Sequence, residues 1–145
     1  MRETITFDDV LLEPRYSNIE SRKFINVSSQ LDPECILQVP IISSPMDTVT
    51  EWQMAQMMTD LGGLGIIHRY NTIEQQVSLV EMAIGGDKDR LIGAAIGISD
   101  DFIDRACSLY DAGVRFLCID VAHGHHSLVK HALIVLRNTF GSAVH

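Results

Sequence analysis

Beyond residue 38 the chain repeats one pattern: a short apolar run, a polar turn, then apolar positions spaced three and four apart. The run Val39–Ser43 predicts a strand, and Ser44-Pro45-Met46-Asp47 predicts the turn after it. Thr50 is the expected N-cap of a helix carrying Met54, Met57, Met58 and Leu61, which Gly62-Gly63 closes. A second unit runs from the strand Leu64–Ile67 through His68-Arg69-Tyr70-Asn71 into a helix. Thr72 and Gln75 there form a capping box, and Ile73, Val77, Val80 and Ile84 form one stripe. The third unit is Leu91–Ile96, Gly97, and a helix capped by Ser99, with Ile103, Ala106 and Tyr110 inward and Gly113 as its stop. The fourth is Phe116–Val121, the turn Ala122–His126, and a helix to Phe140 with Val129, Ala132, Leu133 and Leu136 on its apolar side. The step between strands is about 25 to 30 residues, the size of one βα unit.

Strands alternating with helices imply α/β class and a parallel sheet, and near-continuous apolar strands imply that both sheet faces are covered. No G-x-G-x-x-G follows the first strand, so the dinucleotide fingerprint of an open doubly wound sheet is missing. Polar residues gather just after the strands instead: Ser43, Ser44 and Asp47; His68 and Arg69; Asp120 and His123. A parallel (β/α)8 TIM barrel keeps its site at that rim, and the pattern favours this architecture. Residues 1–38 read as a capping segment of short strands and loops, and residues 39–145 as the first half of the barrel. Four βα units are counted where a barrel needs eight, and Val144-His145 falls where a fifth strand begins. The expectation is the front part of a longer barrel. The other expectation is a half-barrel that completes itself by dimerising.

Composition narrows the class. Of 145 residues 46% are hydrophobic and 21% charged, which fits a globular chain and excludes a disordered one. No apolar run reaches the roughly 18 residues of a membrane helix, so no membrane partner is expected. The opening MRETITFDDV carries acids where a signal peptide needs an apolar stretch. A formal charge of −8 argues against nucleic acid as a partner. Cys35, Cys107 and Cys118 show no paired spacing and read as reduced thiols in a cytoplasmic protein.

Three turns carry candidate chemistry. Ser43-Ser44 at a strand end, with Pro45 fixing the backbone, presents hydroxyl donors to a phosphate or a polyol, or simply caps the next helix. His68 and Arg69 could meet an anion, or be a buried His and a solvated Arg. Asp120, after an apolar strand, can accept from ribose hydroxyls or orient an amide. His123, His125 and His126 lack a carboxylate or thiolate at ligand spacing, and no metal site is expected. Cys118 on a strand and Cys107 on a helix read as buried, inert thiols. Cys35 has no basic neighbour to activate it, so none of the three is a convincing nucleophile.

Taken together, TFDDVLLEPRYS (6–17), PIISSPMDTVTE (40–51), GGLGIIHRYN (62–71), GAAIG (93–97) and FLCIDVAHGH (116–125) resemble the inosine monophosphate dehydrogenase and guanosine monophosphate reductase family. The resemblance implies a (β/α)8 barrel, assembled as a homotetramer, that oxidises IMP to XMP with NAD and water in guanine nucleotide biosynthesis. It implies Ser44 and Met46 as substrate contacts, and Asp120, Arg69 and His68 as cofactor-binding residues. It places the catalytic cysteine loop, the phosphate-binding glycines and the flap after later strands. On that reading no catalytic residue lies in this segment, the 145 residues alone are inactive, and any monovalent cation is held by the later half. The alternative within the family is the reductase, which converts GMP to IMP and ammonia with NADPH. PIISSPMDTVTE, GGLGIIHR and the AHGH run resemble the dehydrogenase. Asp120-Val121-Ala122 resembles the reductase, as does the short Gly85–Arg90 link where most dehydrogenases insert a regulatory domain. A reading from another class is a non-catalytic half-barrel kept as a nucleotide-binding module.

Overall fold

The computed structural model describes residues 4–99 and 101–145; Met1–Glu3 of the capping segment lie outside the described residues. The front is mostly extended, with single 3-10 turns at Phe7–Asp9 and Arg22–Phe24. A hairpin then pairs β1 (Ser29–Asp32) with β2 (Cys35–Leu37). Asp32 builds its turn, accepting from the amides of Glu34 at 2.7 Å and Cys35 at 3.0 Å. The repeating part follows as β3 (Ile42–Ser43), α1 (Trp52–Asp60), β4 (Leu64–Ile67), α2 (Ile73–Ile84), β5 (Ile92–Ile96), α3 (Phe102–Asp111), β6 (Phe116–Ile119) and α4 (Ser127–Phe140). The last four strands form one parallel sheet in the order β3-β4-β5-β6.

Strand alternation gives this sheet two apolar faces. Ile67, Ile92, Ala94 and Ile96 pack with Ala55, Val80, Ala83, Ala106 and Leu109 on the helix side. Leu64, Ile66, Ala95 and Phe116 form the other layer, and Leu37 of the hairpin packs into it. The hairpin therefore covers one end of the inner face. The chain end also joins the sheet. The His145 amide donates to Arg115 O and its carbonyl accepts from the Leu117 amide, both at 2.8 Å, and Val144 is buried. The outer edge of β6 is thus paired at that point, at the position expected for a fifth strand.

Several local expectations change. The strand foreseen over Val39–Ser43 shortens to Ile42–Ser43, because Pro40 has no amide to donate and the Ile41 amide turns back to Val39 O at 2.8 Å. Thr50 is not the cap of α1; Glu51 holds that position without a side-chain bond. The methionine stripe of α1 is mostly outside, with Met54, Met57 and Leu61 exposed and Ala55 buried. Gly65 explains this: a Cβ there would lie 2.3 Å from Ala55 Cα, so helix and strand touch at two small residues. In α2 the capping box forms as read, but the buried line is Gln76, Val80 and Ala83. α3 starts at Phe102 with Asp101 as its N-cap residue, and Ser99 contributes only its carbonyl, to the Phe102 amide. Leu133 of α4 faces outward. Cys35, Cys107 and Cys118 are free and half-buried, so Cys107 and Cys118 are less enclosed than expected.

Candidate functional site

Because the strands run parallel, the turns after β3, β4, β5 and β6 open on one edge of the sheet. Ser44, Arg69, Gly97 and Asp120 all follow strand ends at that edge. Hydrogen bonds connect the turns. Thr50, fully buried, donates its hydroxyl to Ser44 O at 2.6 Å, and lies 2.9 Å from Ser43 Oγ. Its own carbonyl accepts the His68 amide at 3.4 Å. The turn after β3, which leaves Ser44 and Met46 exposed, is thereby tied to the turn after β4.

Arg69 and His68 take different places. His68 is buried, accepts the Tyr70 amide on Nδ1 at 3.2 Å, and keeps Nε2 3.6 Å from Glu51. It props the turn from behind and does not present its ring at the rim. Arg69 reaches across the end of β5. Its Nε donates to Asp120 Oδ2 at 3.3 Å and its Nη2 to Asp120 O at 3.1 Å. Gly97 lies beneath it; a Cβ there would sit 3.4 Å from Arg69 Nη1, within ordinary contact distance. Arg69 Nη1 and Asp120 Oδ1 make no hydrogen bond among the described residues, so the pair keeps N–H donors and a carboxylate acceptor free. That pairing suits a ribose diol or a carboxamide, each of which needs both.

Sequence reasoning missed two polar residues behind this rim. Gln76 and Arg105 are buried, and both stand at stripe positions of their helices. A polar residue at an otherwise apolar helical spacing is the signal that could have found them.

The remaining candidates lie elsewhere. His126 caps α4 by accepting the Leu128 amide on Nδ1 at 3.1 Å, and the His123 and His125 rings stand 6.5 Å apart, edge to face. Burial, and secondarily the carboxylate of Asp120, push the Cys118 thiol above its ordinary range. Burial followed by Asp32 does the same for Cys35. A groove of about 740 Å3 runs along α4 beside Lys130, Leu133, Ile134 and Arg137 and contains neither Arg69 nor Asp120. We place the site at the rim, where strand ends and paired charges converge, and not in that shallow groove.

A parallel βα wall with its polar side chains collected at the strand ends defines a barrel-type enzyme scaffold. A family model described as the IMP dehydrogenase / GMP reductase domain matches residues 4–145, and the chain belongs to that family. The inosine-5'-monophosphate dehydrogenase of Cryptosporidium parvum is 36% identical over 162 aligned positions, covering 83% of this chain and 40% of the relative. That of Borreliella burgdorferi is 32% identical over 176, covering 88% and 43%. A GMP reductase of Leishmania donovani is 46% identical over 78, covering 54% and 16%. The chain thus spans less than half the length of these curated relatives. The first two alignments are longer than the chain itself, so those relatives carry inserted residues that it lacks. The four parallel strands are accordingly part of a TIM barrel, the fold of this family of purine nucleotide oxidoreductases. Among the described residues no helix is long and apolar enough to cross a membrane.

Proposed function

We propose that the protein carrying this chain is an IMP dehydrogenase, converting IMP, NAD and water to XMP and NADH, and that these residues supply the first half of its barrel rim. The observation that carries the reading is the Arg69–Asp120 pair. A reductase needs a group beside the second-strand His that can pass a proton to departing ammonia. Arginine stays protonated at neutral pH, and Arg69 Nε is held 3.3 Å from the Asp120 carboxylate. Arg69 is therefore suited to hold and orient, and unsuited to proton transfer. NAD, when bound, supplies the hydride acceptor. Asp120 Oδ1 and Arg69 Nη1 would meet its ribose and amide groups, Ser44 and Met46 would line the nucleotide side, and His68 would hold the turn in place. Assembly as a homotetramer and a cytoplasmic location go with this reading.

The reductase stays as the second reading, on the match to the Leishmania GMP reductase and on Asp120-Val121-Ala122. With the thiols of Cys35 and Cys118 pushed up and the catalytic cysteine loop expected after later strands, the chain by itself is expected to bind without turning over. The test is absorbance at the reduced-nicotinamide band with IMP and NAD. No signal above the blank is expected, and measurable turnover by the 145-residue chain would force Cys35, Cys107 or Cys118 into the nucleophile's role.

A further inference from the structure

The rim turn that carries Arg69 is fastened at both ends by side chains that never reach the rim. Gln76, fully buried on α2, donates through Nε2 to Ala95 O at 2.9 Å and to Ile67 O at 3.4 Å. These carbonyls belong to the last residue of β4 and the next-to-last of β5, one residue before His68 and two before Gly97. Gln76 Oε1 accepts from Arg105 Nη1 at 2.8 Å. Arg105, only 7% exposed, also donates through Nη2 to Asn71 O at 3.1 Å, at the far end of the same turn. Its charge is met by Asp101 Oδ2, 2.9 Å from Nη2 and 3.2 Å from Nε.

We propose that Arg105, acting with Gln76, is a positioning residue that sets the His68–Asn71 turn and so holds Arg69 across Gly97 against Asp120. The cost of enclosing a guanidinium argues for this role. A buried charge is costly, and an aliphatic side chain would serve packing alone at least as well. What the planar fork supplies is three separate acceptors reached at fixed angles: an amide oxygen on α2, a turn carbonyl, and a carboxylate on its own helix. Two of those three lead to the rim turn. The third neutralises the charge from an exposed residue, which makes the arrangement adjustable without opening the core. Removing the fork frees Asn71 O and lets Gln76 turn, so both ends of the turn loosen together. The part of the inference that concerns ligand rests on the nucleotide-binding reading above.

Two readouts test it on the 145-residue chain: the protected Arg69 Nε–H resonance by NMR, which reports the bond to Asp120, and NAD affinity by calorimetry. Arg105→Lys keeps a charge near Asp101 but cannot span Gln76 and Asn71 together. It is expected to lose the protected Arg69 signal and to weaken NAD binding about tenfold, with backbone dispersion retained. Leu109→Ala, buried on the same helix with no bond to the turn, should lower Tm while leaving signal and affinity at parental values. The proposal is overturned if Arg105→Lys leaves both readouts unchanged, or if Leu109→Ala disturbs them as much. Should Arg105→Lys not fold, Asp101→Asn, altered at an exposed partner, carries the test with the same two outcomes. Where the parent chain shows the Arg69 signal but binds no NAD, the positioning role is decided by the signal alone, and the functional reading is decided separately on the complete protein.

Discussion

Thr50 shows how a single side chain changes meaning between sequence and structure. Read locally, a threonine before a helix is an N-cap, because its oxygen can take an orphan amide of the first turn. Here the hydroxyl turns the other way, to Ser44 O and Ser43 Oγ, and ties the turn after β3 to its own strand. Thr50→Val keeps the shape and removes the donor. It is expected to cost about 1–3 kcal/mol in urea unfolding, since Ser44 O loses a buried partner. An unchanged midpoint would contradict this. Cys118 gives a second expectation at this scale. Its folded pKa is raised by burial, so the thiolate is disfavoured in the native state. The unfolded chain then deprotonates first, and the native advantage is lost as pH climbs through the ordinary thiol range. Alkylation of Cys118, followed by mass spectrometry at pH 8, should run slower than that of a free cysteine peptide. Equal rates would mean that the thiol is open to solvent.

The helices divide by how local their signals are. α2 was legible because Thr72 and Gln75 cap it within three residues, and both reciprocal bonds form, at 3.0 and 3.2 Å. The buried face of α1 was not legible. Its methionines carry the strongest apolar spacing, yet the inward residue is Ala55, chosen by Gly65 on the neighbouring strand. No pattern within the helix reveals that partner. Gly65→Ala is accordingly expected to destabilise by about 1–3 kcal/mol, read from the denaturation midpoint, because the new methyl meets backbone and not a movable side chain. A neutral effect would show that α1 can shift outward freely. The four strands were placed correctly in kind and order: β4 keeps its expected ends, β3 starts three residues later, β5 starts one later and β6 ends two earlier. The β3 shift follows Pro40 and the edge position of that strand, and not any error of period.

At the scale of the molecule, the parallel wall and the gathering of Ser44, Arg69, Gly97 and Asp120 at one edge followed from repetition alone. Once strands run parallel, every turn after a strand opens on the same side. The contacts across that edge did not follow. Arg69 and Asp120 lie 51 positions apart, and Gln76 and Arg105 lie 29 apart, so only the folded chain brings them together. Burial of His68 was an open alternative in the sequence, and the structure decides it through Tyr70 and Glu51. The central claim is that a rim holding a fixed, protonated arginine belongs to the dehydrogenase side of this family. Steady-state kinetics of the complete protein with IMP plus NAD and with GMP plus NADPH tests it most directly. The account predicts a higher kcat/KM for IMP with NAD; a higher value for GMP with NADPH would contradict it and make Asp120-Val121-Ala122 and the short Gly85–Arg90 link the better guides.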